Sequence, residues 1–235
     1  MPLPTLKTPK YELTIPSTKE KVKFRPFLVK EEKILLMAAE SKDPKEIFES
    51  LTSVITECID KKNLDISSWP TFDLEYVFLN LRSKSIGETV EISTPCEECN
   101  EIVITSVDLS NVSITYNDKH DSKIQLTKDI GVFMKYPNYE LTSTVVVDAT
   151  EIETLIKLVS LCIDKIYDKD TIYSRSDYTD KEFEDFVLSL TQSDLDKIKQ
   201  FFDTMPSMEH TETAKCLKCN HETTLEMRNL NDFFM

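Results

Sequence analysis

Two Cys-x-x-Cys pairs constrain this chain more than any other feature. Cys96-Glu97-Glu98-Cys99 and Cys216-Leu217-Lys218-Cys219 lie more than a hundred residues apart. At this spacing a tight turn aims both thiolates at one point. Two such turns supply the four sulfurs that a tetrahedral zinc ion takes in a closed structural site. If one ion takes all four, segments 90–106 and 210–228 must fold against each other, and the chain between them is an excursion with clamped ends. The flanks agree with this. Glu88–Thr94, Glu101–Val107 and His221–Met227 alternate and are rich in β-branched residues, so each pair sits at the tip of an expected hairpin. The expectation is a zinc-ribbon-like element with Cys96, Cys99, Cys216 and Cys219 as ligands. Zinc is the expected structural cofactor, although iron would take the same four thiolates.

Other uses of the cysteines fit less well. A redox pair needs a lowered thiol pKa from a helix N-terminus or nearby cations. Cys96 and Cys99 instead bracket two glutamates and run into a strand. Disulfides need an oxidising compartment, and the start Met1-Pro2-Leu3-Pro4-Thr5 has no apolar leader segment. His221 could replace one thiolate, but a histidine beside a knuckle is more often an exposed strand residue, and that reading is preferred. Cys58 and Cys162 fall on apolar helical stripes and read as buried small hydrophobes.

Composition excludes several functions. The 235 residues carry a net charge of −14, which opposes general nucleic-acid binding. Only two glycines occur, Gly87 and Gly131, so glycine-rich phosphate-binding loops are absent. No apolar stretch is long enough to span a bilayer. The three histidines have no nucleophile nearby in sequence, and four sulfurs close a metal site to substrate. The chain reads as a non-enzymatic structural or interaction protein with no small-molecule substrate and no membrane or nucleic-acid partner.

In order, Tyr11–Ile15 and Lys21–Arg25 predict a hairpin with Lys19, Lys21, Lys23 and Arg25 along one edge, either solvated or a docking edge for an acidic partner. Helices are expected from Lys30 to Ser41, after Asp43-Pro44-Lys45-Glu46, and after Trp69-Pro70. Beyond the first knuckle, strands are expected at Val112–Tyr116, Ile124–Leu126, Val132–Tyr136 and Ser143–Val147, with His120 exposed and unpartnered in a polar turn. A helix should begin at Asp148-Ala149-Thr150-Glu151, its stripe running from Ile152 through Cys162 to Ile166. Residues 167–178 read as a loop. Thr179-Asp180-Lys181-Glu182 is a capping box for a helix over Phe183–Leu190, and another covers Asp194–Thr204. The apolar end, Asn229–Met235, either docks on the body or is a partner-binding tail, and docking is the preferred reading because aromatic groups tend to bury. The fold class is α+β: helices at the N-terminus and again later, around a β-rich middle, with the zinc-ribbon-like element closing the chain. Its segments are 1–88 (hairpin plus helices), 89–147 (first knuckle and strands), 148–205 (helices) and 206–235 (second knuckle and tail), in one or two compact units.

The run Lys21-Val22-Lys23-Phe24-Arg25-Pro26-Phe27-Leu28-Val29-Lys30-Glu31-Glu32-Lys33-Ile34-Leu35-Leu36-Met37-Ala38 resembles the baseplate hub proteins of T4-like contractile-tailed phages. The preceding hairpin, Leu81–Glu88 and the Cys-x-x-Cys that follows fit the same resemblance, which covers most of the chain. It implies a non-enzymatic part in building the central hub of the tail baseplate. Its partners would be other baseplate proteins, and its location the virion after assembly in the host cytoplasm. Beyond the expectation that cysteines hold metal, it carries over no functional residues. The alternative is a zinc-ribbon adaptor in transcription or nucleic-acid processing, which would need a basic face.

Overall fold

A computed structural model of the chain describes residues 7–61, 64–141 and 151–233. The expected strand at Ser143–Val147 and the helix start at Asp148–Thr150 lie outside these residues, as do Met1–Leu6, Phe234 and Met235. The architecture is α+β, and the chain divides into two compact units. One gathers Met1–Ile66, Phe72–Thr115 and Pro206–Met235; the other comprises Ser67–Thr71 and Tyr116–Met205.

The first unit opens with β1 (Tyr11–Thr14) and β2 (Lys21–Phe24), an antiparallel hairpin that buries Leu13, Val22 and Phe24. Its turn is fastened by buried Asp73, which accepts hydrogen bonds from the Ser17 N–H at 2.9 Å and from the Ser17 hydroxyl. The helices α1 (Val29–Ser41), α2 (Pro44–Cys58) and α3 (Thr71–Ser85) follow. Asp43 caps α2 by accepting from the Lys45 N–H at 2.9 Å, and Pro44 fills the first helical position. Next come β3 (Thr89–Pro95) and β4 (Ile102–Asp108), paired in register from Thr89↔Asp108 to Pro95↔Ile102. The strand β5 (Ser113–Thr115) leaves this unit. The chain returns as β10 (Ser207–Lys215), paired with both β5 and β11 (Glu222–Met227). A core of Leu79, Ile92, Val107, Met208 and Met227 also takes in Phe233, which is fully buried, so the tail docks as far as Phe233.

In the second unit, β6 (Lys123–Gln125), β7 (Ile130–Met134), β8 (Ile163–Asp168) and β9 (Thr171–Ser174) form one antiparallel sheet in that order. It packs with α4 (Glu151–Cys162), α5 (Asp180–Leu188) and α6 (Gln192–Thr204) around Val132, Val159, Ile163, Phe183 and Ile198. Two expectations fail here. Ile163 and Ile166 keep helical spacing with Ile152–Cys162 but belong to β8, and the expected loop over 167–178 holds β9. Hydrogen bonding to β7 on one side and β9 on the other outweighs the local pattern. His120 is not an isolated exposed residue either. Its ring is half-buried, with Nδ1 3.0 Å from the Thr204 hydroxyl and Nε2 2.9 Å from the Tyr136 hydroxyl, and it stacks against Tyr136. Burial pulls its pKa below the usual value. Both partners are remote in sequence, so local polarity gave the wrong answer. Gly131 is required by a close approach: a Cβ there would meet the Tyr167 hydroxyl at 2.2 Å.

The N-terminus of α1 depends on one buried charge. Glu31 is 2 % exposed. Its carboxylate accepts from the Leu28 N–H at 2.7 Å, half of a capping box, and from Arg25 at 3.0 Å. Arg25 is thus turned inward from the hairpin edge, and Lys21 pairs with Glu12 at 3.4 Å. Burial alone would raise the Glu31 pKa, but Arg25, the Leu28 N–H and Lys30 overcome it and hold the carboxyl at about 2. A depressed carboxyl stabilises the fold above its unfolded pKa of 4.5 and loses that contribution as pH falls towards 2. Glu31→Gln is therefore expected to cost about 3 kcal/mol at neutral pH. The gap between variant and parent should close below the unfolded carboxyl range, as read by urea denaturation across pH.

Candidate metal centre

The two knuckles are built alike. In the first, the Cys96 N–H donates to the Glu101 carbonyl at 2.8 Å, and the Asn100 N–H donates back to the Cys96 carbonyl at 2.9 Å. In the second, Cys216 donates to the His221 carbonyl at 2.8 Å, and Asn220 to the Cys216 carbonyl at 2.9 Å. Asn100 and Asn220 close the turns in the left-handed region, with φ of 58° and 61°. Asparagine tolerates that conformation better than most residues. The repeated Cys-x-x-Cys-Asn was the readable signal for these two positions, and attention to the cysteines alone passed over it.

The β3–β4 and β10–β11 hairpins pack through Val103, Ala214 and the cysteines themselves. This brings the sulfurs together. Cys96 and Cys219 have their Sγ atoms 3.6 Å apart, and so do Cys99 and Cys216. All four lie within 4.8 Å of one another. A tetrahedron of zinc–sulfur bonds of about 2.3 Å has edges of about 3.8 Å, so the four sulfurs have the footprint of one ion. The separations are far too long for disulfides, which need about 2.05 Å. All six cysteines are free thiols. The four named from sequence spacing form the only such cluster among the described residues.

The electrostatics suit a cation. The N–H groups of Cys219 and Lys218 point at the Cys216 sulfur and bring its pKa down to about 6. Cys219 receives the His221 N–H, yet burial and the neighbouring thiols push it up to about 12. Cys216 forms its thiolate readily while Cys99 and Cys219 resist, because negative charges crowd each other without a metal between them. His221 stays outside the cluster, half-buried just before β11, its Nε2 3.8 Å from Glu97. Lys218 reaches across to Glu101 at 2.8 Å and ties the second knuckle to the first. Burial pushes the Cys58 thiol up to about 11 and Cys162 to about 12, so both are inert core residues.

A family model described as T4 bacteriophage base plate protein matches residues 8–235. The chain belongs to this family. No curated protein and no solved structure matches it. Membership makes it a structural protein of a phage base plate, and among the described residues no helix is long and apolar enough to cross a membrane. The base plate protein thus carries a four-sulfur cluster shaped by two matching turns. If the left-handed asparagines set those turns, Asn220→Val should lower stability by about 1–2 kcal/mol while Asn220→Gly stays near neutral, read by thermal melting.

Proposed function

We propose that this base plate protein is a non-enzymatic component or assembly factor of the hub of a contractile tail. On this reading it docks to other tail proteins and is stapled by one structural zinc on Cys96, Cys99, Cys216 and Cys219. The family match over nearly the whole chain carries the assembly reading, and the sulfur cluster supports the zinc. Bound zinc would supply the positive charge that lets four thiolates share one point, and with four protein ligands it would have no open position for a substrate. The protein would be made and stapled in the reducing host cytoplasm and carried into the tail. The zinc-ribbon adaptor reading finds little support, because Lys218 at the second knuckle is spent on Glu101 and the chain is strongly acidic.

The protein is expected to carry one zinc per chain by elemental analysis. Removal by a strong chelator should lower Tm by roughly 10 °C. Protons compete for the thiolates, so zinc should be released as pH falls, and Cys99→Ser should release it at a higher pH than the parent. A metal-free chain whose melting ignores chelation would remove the zinc from the proposal. For the assembly role, tagged protein is followed through tail intermediates and finished particles by mass spectrometry. Recovery with nucleic acid or RNA polymerase, and with no tail protein, would sink it.

A further inference from the structure

The helix α1 carries more apolar surface than the chain covers. Only Glu31 and Ala38 are buried along it, while Ile34, Leu36 and Met37 are 42 %, 60 % and 61 % exposed. Beside it runs a trough of about 420 Å³ with two chemically different walls. Ile34 and Met37 of α1 form one wall; Glu46, Glu49, Ser50 and Ser53 of α2 form the other. No lysine or arginine lines it. Glu46 makes no ion pair among the described residues, and Glu49 reaches Lys45 only at 3.9 Å.

We propose that this trough docks a basic amphipathic helix of another tail protein. The helix would place its apolar side chains against Ile34 and Met37 and its lysines or arginines against Glu46 and Glu49. The proposal rests on the assembly reading above and names the partner's chemistry. Ile34 and Met37 stand exposed side by side on the trough face of α1, and exposed apolar patches mark interaction sites. A helix laid in a groove presents residues at spacings of three and four, so one edge can be apolar and the next charged, which matches the split walls. The sign of the partner follows from the carboxylates and from the net charge of −14, which steers a basic chain inward and repels a second copy of this one. The basic edge on β1–β2 is the weaker candidate, because Arg25 and Lys21 already meet Glu31 and Glu12.

The test replaces Met37 with a photo-crosslinking benzoylphenylalanine in the full chain during tail assembly. Adducts are sequenced, and the same preparation is assayed for the protein in tail intermediates. The expected result is an adduct to a basic helical segment of a tail protein, reduced at least tenfold by E46K/E49K, with melting of that exposed double variant unchanged. An adduct to an acidic segment or to a second copy overturns the proposal, as does a yield indifferent to E46K/E49K. Protein present in intermediates with no Met37-site adduct overturns the surface and leaves the assembly role standing. Protein absent from every intermediate removes the assembly role, and this inference with it.

Discussion

Four cysteine sulfurs meeting across 117 and 123 residues of chain are the constraint on which the ribbon depends. Drawing together a loop of that length costs about 5 kcal/mol in chain entropy. At the sulfur end the hairpins have little to set against that cost. Near the sulfurs their shared apolar cluster is small, Val103, Ala214 and the cysteines with Leu225 at its edge, while Ile92, Val107, Met208 and Met227 join them in the larger core farther along. β3–β4 is a two-stranded hairpin, marginal by itself in water, whereas β10–β11 is extended by β5. Crowded thiols without a cation worsen the balance, since their neighbours in the cluster push the Cys99 and Cys219 thiols up. The matching turns aim all four sulfurs at one point.

The rest of the first unit has a more ordinary economy. Phe233, Met208 and Met227 fill a conventional core with Leu79 and Val107. Polar fastenings are few and specific: Asp73 holds the β1–β2 turn, and Glu31 holds the start of α1. Glu75 accepts from the Leu230 N–H at 3.4 Å, and burial raises its pKa to about 7. Its sign is opposite to that of Glu31. Burying the Glu75 carboxyl is tolerated below its unfolded pKa of 4.5 and costs stability as pH rises towards and past 7, a cost the Leu230 N–H offsets in part.

What could be read from sequence follows how local each signal is. The knuckles, the Asp43 cap and the Thr179–Glu182 capping box are written within four or five residues and appear where expected; Glu182 accepts from the Thr179 N–H at 2.7 Å. The failures lie where distant strands decide. Nothing between Cys162 and Ile163 marks the end of a helix, since neither glycine nor proline intervenes and the isoleucines keep helical spacing. Only pairing with β7 and β9 converts that stretch to strand. His120 gained its partners from Tyr136 and Thr204, which no window around residue 120 contains. The sulfur cluster succeeded despite its long separation because its chemistry, rather than its neighbourhood, specifies the match.

Chain order gives the paired knuckles a further property. The first cannot close before Glu101 leaves the ribosome, and Cys216 lies 117 residues beyond Cys99. At bacterial elongation rates of about 5–20 residues per second, the first turn waits roughly 6–23 s for its counterpart. During that interval β3–β4 would be a hairpin tipped by two thiols, with the Tyr116–Met205 part of the second unit still to be synthesised. The last turn to emerge thus acts as the closing latch, and translation speed between the two turns sets how long the nascent chain stays open.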